Sequence, residues 1–119
     1  MNKDEQIQKL SCASDWRAAL IILTSAFADD GRVWQYVNLD QAEIAFRKIL
    51  GDGTFSSGEK ILLAVAASLF SREQRVNLWE VFNRLDETNT ALVLRAIRSF
   101  CNEEEPRNEP PKLDLLRVD

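Results

Sequence analysis

The chain is 119 residues long, 45% hydrophobic and 29% charged, and a chain of this size forms one globular domain around a single core. It contains no histidine, which excludes Ser/His and Cys/His catalytic arrangements and every histidine-containing zinc site. Its 19 acidic and 15 basic residues give a net charge of −4, which argues against a general affinity for nucleic acid or anionic membranes.

The positions of glycine and proline predict a helical fold. All three prolines lie between residues 106 and 111, and all four glycines lie between residues 31 and 58. The other two stretches, 1–30 and 59–105, therefore contain no helix breaker. Long helices need stretches of this kind. We predict an all-α fold, a compact bundle of about five to six helices in a single domain over residues 1–102.

The first predicted helix is polar and covers residues 3–11. The second covers residues 16–28 after an N-cap at Ser14 or Asp15, because serine and aspartate accept hydrogen bonds from the free amides of a helix start. The alternation of apolar and polar residues over 32–39 permits either a short strand or a helical turn.

A third helix is predicted from Asp40 to Leu50, where Gly51 ends it. It places four apolar residues on one face: Ala42, Phe46, Ile49 and Leu50. Glu43 and Arg47 are four residues apart, a spacing at which opposite charges stabilise a helix.

The fourth helix begins with a capping box, in which Ser56 and Glu59 satisfy each other's backbone amides, and runs to Phe70. This helix and the second one are apolar on nearly all sides. Helices of that kind are buried on most sides, so the two are predicted to form a central apolar pair. One of them could complete its burial against another subunit, so self-association is a serious alternative.

The last two helices are predicted from their first residues and from the spacing of their apolar residues. The fifth is capped by Asn77 with Glu80 and presents an apolar stripe: Leu78, Val81, Phe82 and Leu85. The sixth begins around residues 86–88, points Arg95 and Arg98 outward, and turns four apolar residues inward: Val93, Ala96, Ile97 and Phe100.

The start of the sequence is polar, unlike a signal peptide, and the longest apolar stretches are about 10 residues, half of what a membrane span needs. We therefore expect a cytoplasmic protein without a membrane segment. In that compartment Cys12 and Cys101 would be reduced thiols, and we predict that they are small buried apolar residues.

No motif predicts catalysis, a cofactor or a metal. The run Asp52–Glu59 matches the second half of a calcium-binding EF-hand loop, but Lys48 and Leu50 occupy positions where that loop needs oxygen ligands. The same run is explained by a glycine turn followed by a capping box. We therefore predict a non-enzyme without cofactor or metal.

A helix-turn-helix nucleic-acid reader is the alternative function. The 77–101 helix pair offers Asn89 and Thr90 near the start of its second helix, with Arg95 and Arg98 available for phosphates. Against it, residues 1–102 hold 12 basic and 13 acidic side chains, so no basic face emerges.

The end of the sequence, residues 103–119, is predicted to be an extended acidic, proline-containing tail with six acidic and three basic residues. Its apolar residues suit a docking peptide: Leu113, Leu115, Leu116 and Val118. The tail could equally fold back on its own domain, dock on another chain or stay disordered.

The predicted function is that of a non-catalytic helical subunit, adaptor or protein inhibitor that binds a protein partner, itself or both. The stretch from Ser57 to Ile97 resembles small bacterial or phage proteins, a resemblance that implies no particular activity. The predicted partner-binding residues are two aromatics taken as exposed and three leucines of the tail: Trp34, Tyr36, Leu113, Leu115 and Leu116.

Overall fold

The computed structural model describes residues 2–101, and its fold is all-α with one small hairpin, as the sequence predicts. The tail predicted over residues 103–119 lies outside this range. Within residues 2–101, seven helices and two strands follow one another: α1 Lys3–Leu10, α2 Ser14–Ala26, α3 Gly31–Trp34, β1 Val37–Asn38, β2 Glu43–Ile44, α4 Phe46–Leu50, α5 Ser57–Phe70, α6 Leu78–Arg84 and α7 Glu87–Cys101.

Helix α2 lies at the centre of the molecule. It packs extensively against α5 on one side and α7 on the other, and α5 also contacts α4 and α6. This arrangement confirms the apolar pair of α2 and α5. The largest fully buried side chains come from every helix except α1 and from the residue after α2: Leu20, Ile22, Leu23, Phe27, Val33, Ile49, Leu63, Val81 and Val93.

The direction of α7 is fixed by a side chain from the start of α2. Arg17 Nε donates a hydrogen bond to Ser99 Oγ at 2.8 Å, and Arg17 Nη2 donates to the Ser99 carbonyl at 2.8 Å. The beginning of α2 therefore lies beside the end of α7, and the two helices run antiparallel. The first residue of α7, Glu87, follows closely after the end of α6 at Arg84.

The capping box of α5 is confirmed. Glu59 N donates to Ser56 Oγ at 3.2 Å, and Ser56 N donates to Glu59 Oε1 at 2.8 Å. Because this box satisfies two amides at the entrance of the most buried helix, it fixes where α5 begins. Asn77 likewise caps α6, since its Oδ1 accepts a hydrogen bond from Glu80 N at 3.0 Å.

The prediction of a helix from Asp40 is wrong over its first six residues. Strand β1 pairs antiparallel with β2, and the loop between them reverses the chain, with Ala42 at φ 55°. Asn38 Oδ1 accepts a hydrogen bond from Gln41 N at 3.0 Å, which stabilises the turn. Glu43 therefore lies in a strand and forms no helical pair with Arg47. The segment 32–39 holds both structures that its pattern permitted, a helical turn in α3 and a strand in β1.

The prediction that the two cysteines are buried is wrong. Cys12 lies in the turn between α1 and α2, Cys101 ends α7, and both thiols are free and exposed. Both positions lie at helix ends, where the chain leaves the core. Among the described residues, no helix combines the length and the apolar character that crossing a membrane requires.

Candidate functional site

One face of α6 presents three large apolar side chains to solvent. Leu78 is 61% exposed, Trp79 is 72% exposed and Phe82 is 41% exposed. Together with Asn83 they line one shallow depression on the surface. We call Leu78, Trp79 and Phe82 the α6 patch.

The patch is exposed because α6 is a single two-turn helix with one neighbouring helix to cover it. Val81 is fully buried and Leu85, which follows the helix, is nearly so. At about 100° per residue, Trp79 lies about 160° around the helix from Val81 and points away from the core, whereas Phe82 lies about 100° from Val81 and points to the side. Helix α6 packs against α5 on its inner side, and Leu85 and Asp86 connect it to α7.

The predicted inward stripe of α6 is therefore only half right. Val81 and Leu85 face the core as expected, whereas Leu78 and Phe82 do not. The same applies to the end of α7, where Phe100 is 40% exposed although it was predicted to point inward. Leu78 is the first residue of α6, and Phe100 lies one residue before the end of α7.

The two aromatic residues predicted to be exposed partner anchors are half-buried. Trp34 and Tyr36 both pack against the core cluster. Trp34 Nε1 donates a hydrogen bond to the Phe27 carbonyl at 2.7 Å, and Lys3 Nζ lies 3.8 Å from the centre of the Trp34 ring. Trp34 thus joins α1 and α3 to the end of α2. The tail residues predicted to accompany them lie outside the described range: Leu113, Leu115 and Leu116.

The opposite flank of α6 borders a second depression, which we call the cationic groove. It has a volume of about 420 Å³ and lies between α5, α6 and the segment before α6. Its floor is apolar and its rim is mostly charged. The floor is formed by Leu50, Ile61, Ala64, Val76 and Val81, and the rim includes Lys60, Arg75, Glu80 and Arg84.

A cluster around Arg32 joins α3 to the start of α5. Arg32 Nη2 lies 2.6 Å from Asp30 Oδ2 and 3.5 Å from Glu59 Oε2, and Arg32 Nη1 donates to the Thr54 carbonyl at 3.0 Å. The guanidinium lies 4.2 Å from the centre of the Phe55 ring. The hydrogen bond from Arg32 lowers the pKa of Asp30 below its ordinary value of 3.8. The cluster holds the loop before α5 in place.

The loop that resembles half of a calcium site is organised by its own hydrogen bonds. Asp52 Oδ1 accepts from Thr54 N at 2.8 Å and from Thr54 Oγ1 at 2.7 Å, and these bonds lower the pKa of Asp52. Within residues 2–101 no group of three or more potential ligand side chains is arranged to hold a metal ion.

The pair of helices that suggested a helix-turn-helix is present as α6 and α7. Arg95 and Arg98 are exposed, as predicted. Asn89 and Thr90 are half-buried, and both act in the helix start, since Asn89 N donates to Asp86 Oδ1 at 2.8 Å and Thr90 Oγ1 donates to the Leu85 carbonyl at 3.4 Å. Asp86 is thus the residue whose side chain caps α7, and Asn89 and Thr90 lie half-buried in its first turn.

Comparison with protein-family models, curated proteins and solved structures finds no match to this chain. The α6 patch and the cationic groove lie on two flanks of one helix.

Proposed function

We propose that the protein acts without catalysis, by binding another protein through the α6 patch. The observation that carries this proposal is Trp79, a tryptophan with 72% of its surface in solvent beside two further exposed apolar side chains. Large apolar residues that are adjacent and exposed mark interaction surfaces more often than isolated ones do. The absence of histidine from the chain supports the non-catalytic part of the proposal.

The patch has the composition of an interface centre. Tryptophan dominates binding energy at many interfaces, because a rigid indole buries a large area while few torsions are frozen. The polar side chain in the same depression is Asn83, which is uncharged. Burying the depression under a partner would therefore leave no charge of Asn83 unpaired. Covering Trp79 should therefore contribute on the order of 2 kcal/mol or more to binding.

The experiment compares two phenylalanines in the same state of exposure. Phe82 lies in the patch and is 41% exposed, whereas Phe100 lies in the last turn of α7 and is 40% exposed. The fifteen residues of α7 extend about 22 Å, so Phe100 is remote from the patch. Phe82→Ala and Trp79→Ala should each abolish binding, and Phe100→Ala should retain it.

Binding is measured in two ways, because the partner can be another protein or a second copy of this chain. Light scattering over a range of concentrations reports self-association, and affinity capture from the native host with quantitative mass spectrometry reports other proteins. A wild-type chain that stays monomeric and captures nothing, or captured proteins that Trp79→Ala retains in full, would refute the proposal.

The helix-turn-helix alternative is tested with the same preparation. A protein that contacts phosphates binds duplex DNA with an affinity that falls steeply as salt is raised. We expect no such binding. A steep salt-dependent affinity that Arg95→Ala weakens would replace our proposal with the alternative.

We further propose that the protein resides in the cytoplasm. Its two exposed, unpaired cysteines support this location, because free thiols on a surface persist in a reducing compartment. Fractionation of the native host, followed by detection of the protein in the cytoplasmic fraction, tests the assignment.

A further inference from the structure

The cationic groove carries positive charge that the described part of the chain does not neutralise. Lys60, Arg75 and Arg84 are all exposed on its rim, and within residues 2–101 none of them forms an ion pair. Glu80 is the one acidic side chain among the described lining residues. The groove is thus cationic on a chain whose net charge is −4.

The floor of the groove is suited to apolar side chains. Ile61 and Val81 are buried beneath it, and three further apolar residues are half-buried around them: Leu50, Ala64 and Val76. A ligand that fits this surface combines apolar side chains, which cover the floor, with carboxylates, which approach the rim.

The same chain contains a segment of this composition. Residues 103–119 include six acidic and three basic side chains. Its last seven residues interleave four apolar side chains with two aspartates and one arginine: Leu113, Asp114, Leu115, Leu116, Arg117, Val118 and Asp119.

We propose that residues 103–119 dock into the cationic groove of their own chain. Leucines of the segment cover the apolar floor, and its carboxylates approach Lys60, Arg75 and Arg84. The docked segment lies on the flank of α6 that is opposite the α6 patch, so the proposal is independent of the binding function proposed above.

The connecting chain is long enough to reach. Eleven residues separate Cys101 from Leu113, and they span up to about 36 Å when extended. The distance along α7 back to α6 is about 22 Å. A linker of this length gives the segment an effective concentration on the order of millimolar, so even weak contacts keep it docked.

The test uses the full chain with a nitroxide spin label at a neutral position of the tail. Both native cysteines are exposed and would react with the label, so they are replaced by Cys12→Ser and Cys101→Ser. The label is then attached to the cysteine introduced by Asn108→Cys. Amide signals of residues near the label lose intensity in the nitrogen–proton spectrum. We expect the loss at groove residues such as Ala64 and Val76, and we expect it to be unchanged by dilution.

Two variants and one matched control identify the contact. Arg75→Glu/Arg84→Glu should lower the docked-to-free ratio about tenfold, because two attractions become repulsions. Leu115→Asp/Leu116→Asp should release the segment through its apolar side chains. Arg95→Glu/Arg98→Glu, which makes the same change of net charge on α7, should leave the signal loss intact.

Other patterns of signal loss overturn the proposal. Loss centred on the α6 patch would place the segment on the other flank, and loss that disappears on dilution would place it on a second copy. Loss confined to the neighbours of Asn108 would show that the segment does not dock. A groove that stays occupied after the Arg75→Glu/Arg84→Glu change would refute the assigned contacts.

Discussion

Two tryptophans lie in opposite environments, and replacing each with alanine should separate stability from binding. Trp34 is half-buried against the core and donates a 2.7 Å hydrogen bond to the Phe27 carbonyl. Trp79 is 72% exposed. We expect Trp34→Ala to destabilise the fold strongly while Trp79→Ala leaves the fold nearly unchanged and abolishes partner binding.

The magnitude follows from burial and from the hydrogen bond. A tryptophan that is fully buried costs about 3–5 kcal/mol when it is cut to alanine, and the incomplete burial of Trp34 places its cost below this range, at about 2 kcal/mol. The lost hydrogen bond adds about 1 kcal/mol, because the Phe27 carbonyl then keeps only the bond that Asp30 N donates at 3.1 Å. Trp34→Ala should therefore lower the free energy of unfolding by about 3 kcal/mol. Trp79→Ala, at a surface position, should lower it by less than about 0.5 kcal/mol.

Urea unfolding followed by far-ultraviolet circular dichroism measures both values and does not depend on tryptophan fluorescence. With a slope of about 2 kcal/mol per molar urea, Trp34→Ala should move the midpoint down by about 1.5 M. Trp34→Phe keeps an aromatic ring without the indole donor and should lose about 1 kcal/mol. A Trp34→Ala variant as stable as the wild type, or a Trp79→Ala variant equally destabilised, would refute this reasoning.

Three further predictions concern the capping box, an ion pair and the thiols. Ser56→Ala should lower the free energy of unfolding by about 1 kcal/mol without weakening partner binding, and loss of binding in a stable variant would make this loop a site. Arg32 lowers the pKa of Asp30, so the pair stabilises the fold above pH 3.8 and this contribution is lost as the pH falls through the lowered pKa. Stability measured from pH 6 to pH 2, roughly the range over which carboxylates titrate, should therefore fall less steeply in Asp30→Asn, and an equally steep fall would contradict the assignment. Cys12 and Cys101 should both react with a thiol reagent in the native state, and reaction only after unfolding would show them to be buried.

The capping residues and the breaker-free stretches made the helical fold predictable from the sequence. Ser56 and Glu59 interact within four residues of chain, so the structure they form is local and can be read from their spacing. The apolar pair of α2 and α5 was predictable for a similar reason, because helices without a polar face need to be covered by others.

The hairpin was missed because its decisive interaction competes with a good helical pattern. Residues from Asp40 onward show helical spacing, but the side chain of Asn38 stabilises a turn by accepting from Gln41 N. Asn38, directly before the residues that reverse the chain, was the local signal that could have revealed the hairpin. A pattern of apolar spacing alone does not decide between the two structures.

The candidate site was only partly predictable, because exposure depends on which neighbour covers a helix. The stripe of α6 predicted an inward face for Phe82, but the tertiary structure provides one covering helix for a helix of seven residues. Trp79 lies one position beyond that stripe, so the apolar arc of α6 is wider than a single neighbour covers. The width of this apolar arc was the feature of the sequence from which the exposed patch could have been predicted.

The most direct test of the central claim places a photo-reactive phenylalanine at position 83, in the same depression as the α6 patch, and, in a second variant, at position 100 in the living host. A probe at position 83 leaves Trp79 in place, and irradiation joins it covalently to whatever protein touches it. The proposal that the α6 patch is a binding surface predicts a discrete adduct of higher mass from position 83 and none from position 100. Absence of an adduct at position 83, or equal adducts at both positions, would contradict it.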